Sequence, residues 1–142
     1  MNPAEMLRTV KTVLVIDWPS KDVPETLARA GLYVVVRGGP KPADHAVYEV
    51  REGKVTVRPL GRPPEQADLV YAYRPPDELA NIVATAKALH AKAIWSQSGL
   101  TSEGIKDPKG CWLPEAQLRA ARDLVELAGL VFISEPYICD PL

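Results

Sequence analysis

The chain is poor in the residues that hold metals or carry nucleophilic chemistry. Two histidines and two cysteines are spread over 142 residues. His45 and His90 have no His, Cys or carboxylate at ligand spacing beside them, and Cys111 and Cys139 form no CxxC pattern. These spacings point to no metal site and to two free thiols in a reducing compartment. The formal net charge is −1, so nothing in the overall charge attracts nucleic acid or an anionic membrane. No apolar run approaches the length of a membrane span. Ahead of Asp17 there is only TVLVI, too short for the hydrophobic region of a signal peptide. The expected location is cytoplasmic, with neither nucleic acid nor membrane as a partner.

Glycine-rich phosphate grips are missing as well. The loop DWPSKDVP contains no glycine, so there is no GxGxxG, and neither a GKS/GKT loop nor a GxSxG elbow occurs. Catalytic partners can still meet in a fold, but no residue presents itself as catalytic. The length allows one domain, residues 1–142, with a real core.

What is present is an alternation of strands and helices. TVLVI (12–16), YVVV (33–36), LVYAY (69–73) and AIW (93–95) are short, β-branched or aromatic runs of the kind buried on both faces of a parallel sheet. Asp22 is the expected N-cap of a helix that begins with Pro24 in its first turn and stops at Gly31. AVYEVREGKVTVRPL alternates on both sides of Glu52-Gly53 and predicts a β-hairpin that extends the sheet edge. Apolar spacing predicts a helix over 77–89, through Leu79, Ile82, Val83, Ala86 and Leu89, and another from Pro114 and Glu115 to Ala128. LVFIS is the last strand, and EPYICDPL trails off. The fold class expected is α/β: three-layer, Rossmann-like, with a mainly parallel sheet and an added β-hairpin.

In such sheets ligands bind beyond the carboxyl ends of the strands. Four loops follow from that rule. They carry Trp18, Ser20 and Lys21; Arg37 and Gly38; Arg74, Pro75 and Pro76 after Tyr73; and Gln97, Ser98 and Gly99. Cations, glycines and helix starts at one end of a sheet favour a phosphorylated ligand. In AYRPPDEL a Pro-Pro corner offers a flat wall without N–H groups, and Arg74 beside it can clamp a phosphate or stack on a base. The plainer alternative is that Arg74 is solvated or paired with Asp77 or Glu78. Trp95 fits a core position better than a ligand platform. Gln97 and Ser98 can equally serve the loop backbone. Cys111 and Trp112 read as a lid or a dimer contact.

The stretch DLVYAYRPPDELANIVATAKALHAKAIWSQSG resembles the CoA-binding protein family, small stand-alone Rossmann-like domains similar to the CoA-binding domain of succinyl-CoA synthetase α subunits. Tyr73, Arg74, Pro75 and Pro76 match an aromatic-Arg-x-Pro turn. Lys92, Ala93, Ile94, Trp95, Ser96, Gln97, Ser98 and Gly99 match a Lys-Ala-x-Trp-x-Gln-x-Gly run. The resemblance implies coenzyme A or an acyl-CoA across the strand ends. The phosphates would lie near Trp18, Ser20 and Lys21, with Arg37 and Gly38 after the second strand. Tyr73, Arg74, Pro75, Pro76, Gln97, Ser98 and Gly99 would flank adenine and pantetheine. The first loop departs from the family in being short and in bringing Asp17 near those phosphates. The expectation is a non-catalytic CoA-binding domain, with homodimerisation open. The rivals are an NAD-type sensor, a degenerate domain acting through a protein partner, and a Cys-dependent acyl-transfer enzyme.

Overall fold

A computed structural model describes residues 2–17, 21–38, 44–74, 76–97 and 113–142. The centre of the sheet is β1 (Thr12–Ile16), whose residues Val13 to Ile16 are fully buried. It pairs in parallel with β2 (Tyr33–Arg37) on one side and with β5 (Leu69–Tyr73) on the other. Beyond β5 lie β6 (Ala93–Gln97) and β7 (Val131–Ile133), both parallel. Beyond β2 the hairpin β3 (His45–Arg51) and β4 (Lys54–Pro59) is antiparallel. The strand order is thus β4-β3-β2-β1-β5-β6-β7. The chain turns from one half of the sheet to the other between β1 and β5, which is where a crevice forms at the carboxyl ends.

Helices cover both faces and make three layers. On one face α1 (Pro3–Thr9) and α2 (Asp22–Arg29) bury Met6, Leu7, Val23 and Leu27 over Val13, Val15, Val34, Tyr71 and Trp95. On the other, α3 (Leu79–Ala88) and α4 (Glu115–Leu127) bury Leu79, Ile82, Ala86, Ala121 and Val125 over Leu14, Ile16, Val35 and Val70. Alternate residues of each strand therefore point to different helical layers, and both are apolar because both are covered. The carboxylate of Asp68 accepts hydrogen bonds from the backbone N–H groups of Lys11 (2.8 Å) and Thr12 (3.2 Å), tying the starts of β5 and β1 together.

The expected strands, hairpin and two long helices are present, with differences that have local causes. The hairpin turn puts both Glu52 (φ 53°) and Gly53 (φ 77°) in the left-handed region, the geometry that matches strand twist in two-residue hairpins. The helix expected over 77–89 opens as a 3-10 turn, Pro76–Glu78, before α3 begins. The N-cap of α2 is Lys21 and not Asp22, which lies inside the first turn where its charge suits the helix dipole. The helix α1 was not anticipated; Asn2 caps it by accepting a hydrogen bond from the N–H of Glu5 at 2.8 Å, with Pro3 following at its start.

The C-terminal segment does not trail off. Ile138 is fully buried against the α1/α2 layer, with Tyr137 and Cys139 packed beside it. The Trp95 indole N–H donates to the carbonyl of Pro136 at 3.0 Å. Trp95 is thus a core residue whose polar handle is satisfied by the chain's last segment. Among the described residues no helix is long and apolar enough to cross a membrane.

Ile138→Ala is expected to cost about 2–5 kcal/mol in urea unfolding, the range for truncating a buried aliphatic side chain. Leu127→Ala, at a residue 90% exposed, is expected to stay within about 0.5 kcal/mol of wild type.

Candidate functional site

The crevice is organised by where three strands end. Ile16 is the last residue of β1, and Asp17 leaves the sheet in a left-handed conformation (φ 57°). The Asp17 N–H donates to the carbonyl of Arg37 at 3.1 Å, which locks the ends of β1 and β2 together. The Asp17 carboxylate lies against Gly38: a Cβ at that glycine would stand 3.6 Å from Oδ1. On its other side the same carboxylate meets Arg74, at the end of β5, with Oδ2 3.3 Å from one terminal guanidinium nitrogen.

Arg74 is also held from α3's side. Its Nε donates to Glu78 Oε2 at 2.6 Å, and its second terminal nitrogen stands 2.5 Å from the same oxygen. Such partly exposed pairs contribute about 0–1 kcal/mol each. They orient the guanidinium without committing it irreversibly. Arg37 has no ion pair with any described carboxylate.

Arg37 and Arg74 line one cavity of 230 Å³ together with Glu78, Asn81, Ile82 and Thr85. Two guanidiniums from the ends of β2 and β5 thus face a common space, with amide and hydroxyl groups of α3 on its wall and Ile82 as an apolar surface. Pockets that enclose a whole drug-sized ligand usually measure about 300–1,000 Å³. This cavity suits one anionic end of a longer molecule. Next to it, His45 opposes Arg37 on the last rung of the β2–β3 ladder. It is 5% exposed, and its Nδ1 has no hydrogen-bond partner among the described residues.

On the opposite face of the sheet lies a second polar group of residues. Tyr73 and Gln97 are register partners on β5 and β6. Gln97 is fully buried; its Oε1 accepts from the Tyr71 hydroxyl, and its Nε2 has no partner among the described residues. The Tyr137 hydroxyl donates to Asp22 Oδ2 at 3.2 Å, and Cys139 hydrogen-bonds with Tyr137 and Thr26. Burial pushes the Tyr71 and Tyr137 hydroxyls well above the ordinary tyrosine range. Burial also pushes the Cys139 thiol up, and the carboxylates of Asp22 and Asp140 act in the same direction. A thiol in this setting stays protonated and is a poor nucleophile.

The candidate residues therefore divide. Arg37 and Arg74 meet at the cavity, and Gly38 adjoins it through Asp17. Lys21 begins α2 with an exposed side chain. Tyr73 and Gln97 belong to the other face. Pro76 opens the 3-10 turn. Trp18, Ser20, Pro75, Ser98 and Gly99, with Cys111 and Trp112, lie outside the described residues. Sequence reasoning did not include Asn81, Thr85 or the Asp17–Arg74 contact. The Asn81 and Thr85 spacing on the outer side of an amphipathic helix was visible, but it reads as an ordinary solvated face. Among the described residues no group of three or more His, Cys, Asp or Glu could hold a metal ion.

The profile of the CoA binding domain family matches residues 12–135, from the start of the central strand to just past β7. The chain belongs to the CoA binding domain family. Solved structures agree on the fold of this chain. Prb, described as PH1109 protein redesigned for binding, superposes with a TM-score of 0.61 at 16% identity, covering 98% of this chain and 86% of that one. The protein cell-free ID.343 from Thermus thermophilus does so with a TM-score of 0.59 at 22% identity, covering 99% and 96%. No curated protein matches the chain.

In a Cys111→Ser background, Cys139 is expected to react with a thiol reagent much more slowly at pH 7–8 than a free cysteine, whose pKa is about 8.5. Because its pKa is raised, the rate should keep climbing as pH passes above that ordinary value. Fast labelling at neutral pH would support the Cys-dependent acyl-transfer alternative.

Proposed function

We infer that this CoA binding domain acts as a non-catalytic receptor for coenzyme A or an acyl-CoA, as one domain, at the carboxyl ends of β1, β2, β5 and β6. The observation that carries this reading is the cavity lined by Arg37 and Arg74 on either side of β1, inside the segment that matches the family. Coenzyme A is an adenosine phosphate with a long, flexible pantetheine arm. One of its phosphate groups fits a small space between two guanidiniums, where planar donors can each make two hydrogen bonds. Asn81 and Thr85 supply polar contacts and Ile82 an apolar one. The rest of the molecule would run along the strand ends toward α2, whose first backbone N–H groups suit a second anionic group. The absence of glycine from DWPSKDVP argues against the close pyrophosphate grip of an NAD-type site. Burial of the Cys139 thiol argues against acyl transfer through that residue.

A second reading draws on the pairing of Arg74 with Asp17 and Glu78. If these carboxylates hold it permanently, the nucleotide site is lost and the surface serves a protein partner.

Calorimetry and thermal shift with CoA, acetyl-CoA, NAD and ATP decide between them. CoA should raise the unfolding free energy by about 2.7 kcal/mol at a hundred times its Kd. Arg37→Ala should weaken CoA about 10- to 100-fold, the loss of one or two charge-assisted hydrogen bonds. Stabilisation by NAD in preference to CoA, or no response from well-folded protein, would overturn the reading.

A further inference from the structure

Arg74 is oriented for an anion and already surrounded by two. Glu78 Oε2 takes its Nε and one terminal nitrogen at 2.6 and 2.5 Å, and Asp17 Oδ2 approaches the other terminal nitrogen at 3.3 Å. These carboxylate oxygens stand where the oxygens of a bound phosphate would be placed by a guanidinium fork. Glu78 also lines the cavity it shares with Arg37. Asp17 is wedged into the crevice itself. It sits at the end of the central strand, its N–H is bonded to the Arg37 carbonyl, and its Oδ1 lies against Gly38. A ligand crossing from the β2 side to the β5 side must pass this carboxylate. Among the described residues of this corner the two guanidiniums, Arg37 and Arg74, are matched by two carboxylates, Asp17 and Glu78.

We propose that Asp17 and Glu78 are internal occupants of Arg74, and that Asp17 is the positioning residue that sets the affinity and charge preference of the site. The ligand's phosphate takes Arg74 from Glu78 by exchange of one oxyanion for another. Asp17 stays beside it, because the strand end and its backbone bond hold it there. The phosphate that enters is thereby penalised in proportion to its charge, while a hydroxyl of the ligand can donate to the Asp17 carboxylate. The inference rests on the CoA reading for its ligand, but the contacts around Arg74 stand without it.

Asp17→Asn tests the idea with little change of shape. Asn tolerates the left-handed backbone that Asp17 adopts, and ligand-free thermal unfolding checks that the fold is kept. Calorimetry with CoA is compared for wild type, Asp17→Asn, Glu78→Gln, and Asp17→Asn combined with Arg74→Ala, at low and high salt. Asp17→Asn is expected to bind CoA about tenfold more tightly, equivalent to about 1.4 kcal/mol, with a steeper salt dependence. Glu78→Gln should shift the same way, and Arg74→Ala should erase the gain. A merely structural role for Asp17 would give weaker binding and no steeper salt slope. If wild type binds CoA and Asp17→Asn binds equally or less well, the inference is overturned and the CoA reading stands. If only Asp17→Asn binds, the inference is upheld and CoA is not the ligand of the native chain. If both fold and neither binds, both ideas fail.

Discussion

The constraint on which the rest depends is the double burial of β1. It has parallel partners on both edges and helices on both faces, so its backbone groups are consumed by the ladder and its side chains by two cores. Such a strand has polar freedom only where it ends. Asp17 is that end, and its left-handed turn carries the chain out of the sheet between β2 and β5. The crevice, the meeting of Arg37 with Arg74, and the wedge of Asp17 against Gly38 all follow from one strand finishing between two others. β4 and the short β7 occupy the outer edges, and β3 reaches this junction at its first residue, His45, beside Arg37.

The electrostatics of that junction are balanced. Arg37 is held by the sheet and faces the cavity without a described carboxylate partner, while Arg74 is shared between Asp17 and Glu78. In the proposed reading an entering anion would exchange with the carboxylates on Arg74 while Arg37 faces the same cavity. The contacts on Arg74 are partly exposed and individually weak, which makes exchange feasible. On the opposite face, buried Tyr71 and Gln97 hydrogen-bond to each other, and half-buried Tyr137 and Cys139 do the same beside them. Burial favours the neutral forms of the Tyr71 and Tyr137 hydroxyls and of the Cys139 thiol.

Much of this was legible in the sequence, for identifiable reasons. Buried parallel strands read as continuous β-branched runs, Glu52-Gly53 marks a two-residue turn, and Leu79, Ile82 and Ala86 recur at helical spacing. Pairing of Arg74 with Asp77 or Glu78 was the plainer local reading, and the structure pairs it with Glu78. Pairing with Asp17 was not legible, since the contact exists only through the β1–β5 pairing. The N-cap shift from Asp22 to Lys21 reflects the weak sequence preference of a cap that makes no side-chain bond. α1 was overlooked although Asn2-Pro3 and Glu5 are start signals, because a seven-residue helix shows too little periodicity. The role of Ile138 was hidden because a fully buried residue in a Pro-flanked tail looks like any other terminal apolar residue.

In the proposed reading, the junction of β1, β2 and β5 seats a phosphate of coenzyme A between Arg37 and Arg74. A crystal structure of the chain grown with coenzyme A tests it most directly. Phosphate oxygens are expected within hydrogen-bond distance of both guanidiniums, with Glu78 moved off Arg74. Coenzyme A bound elsewhere, with the Arg74–Glu78 and Arg74–Asp17 contacts intact, would contradict it.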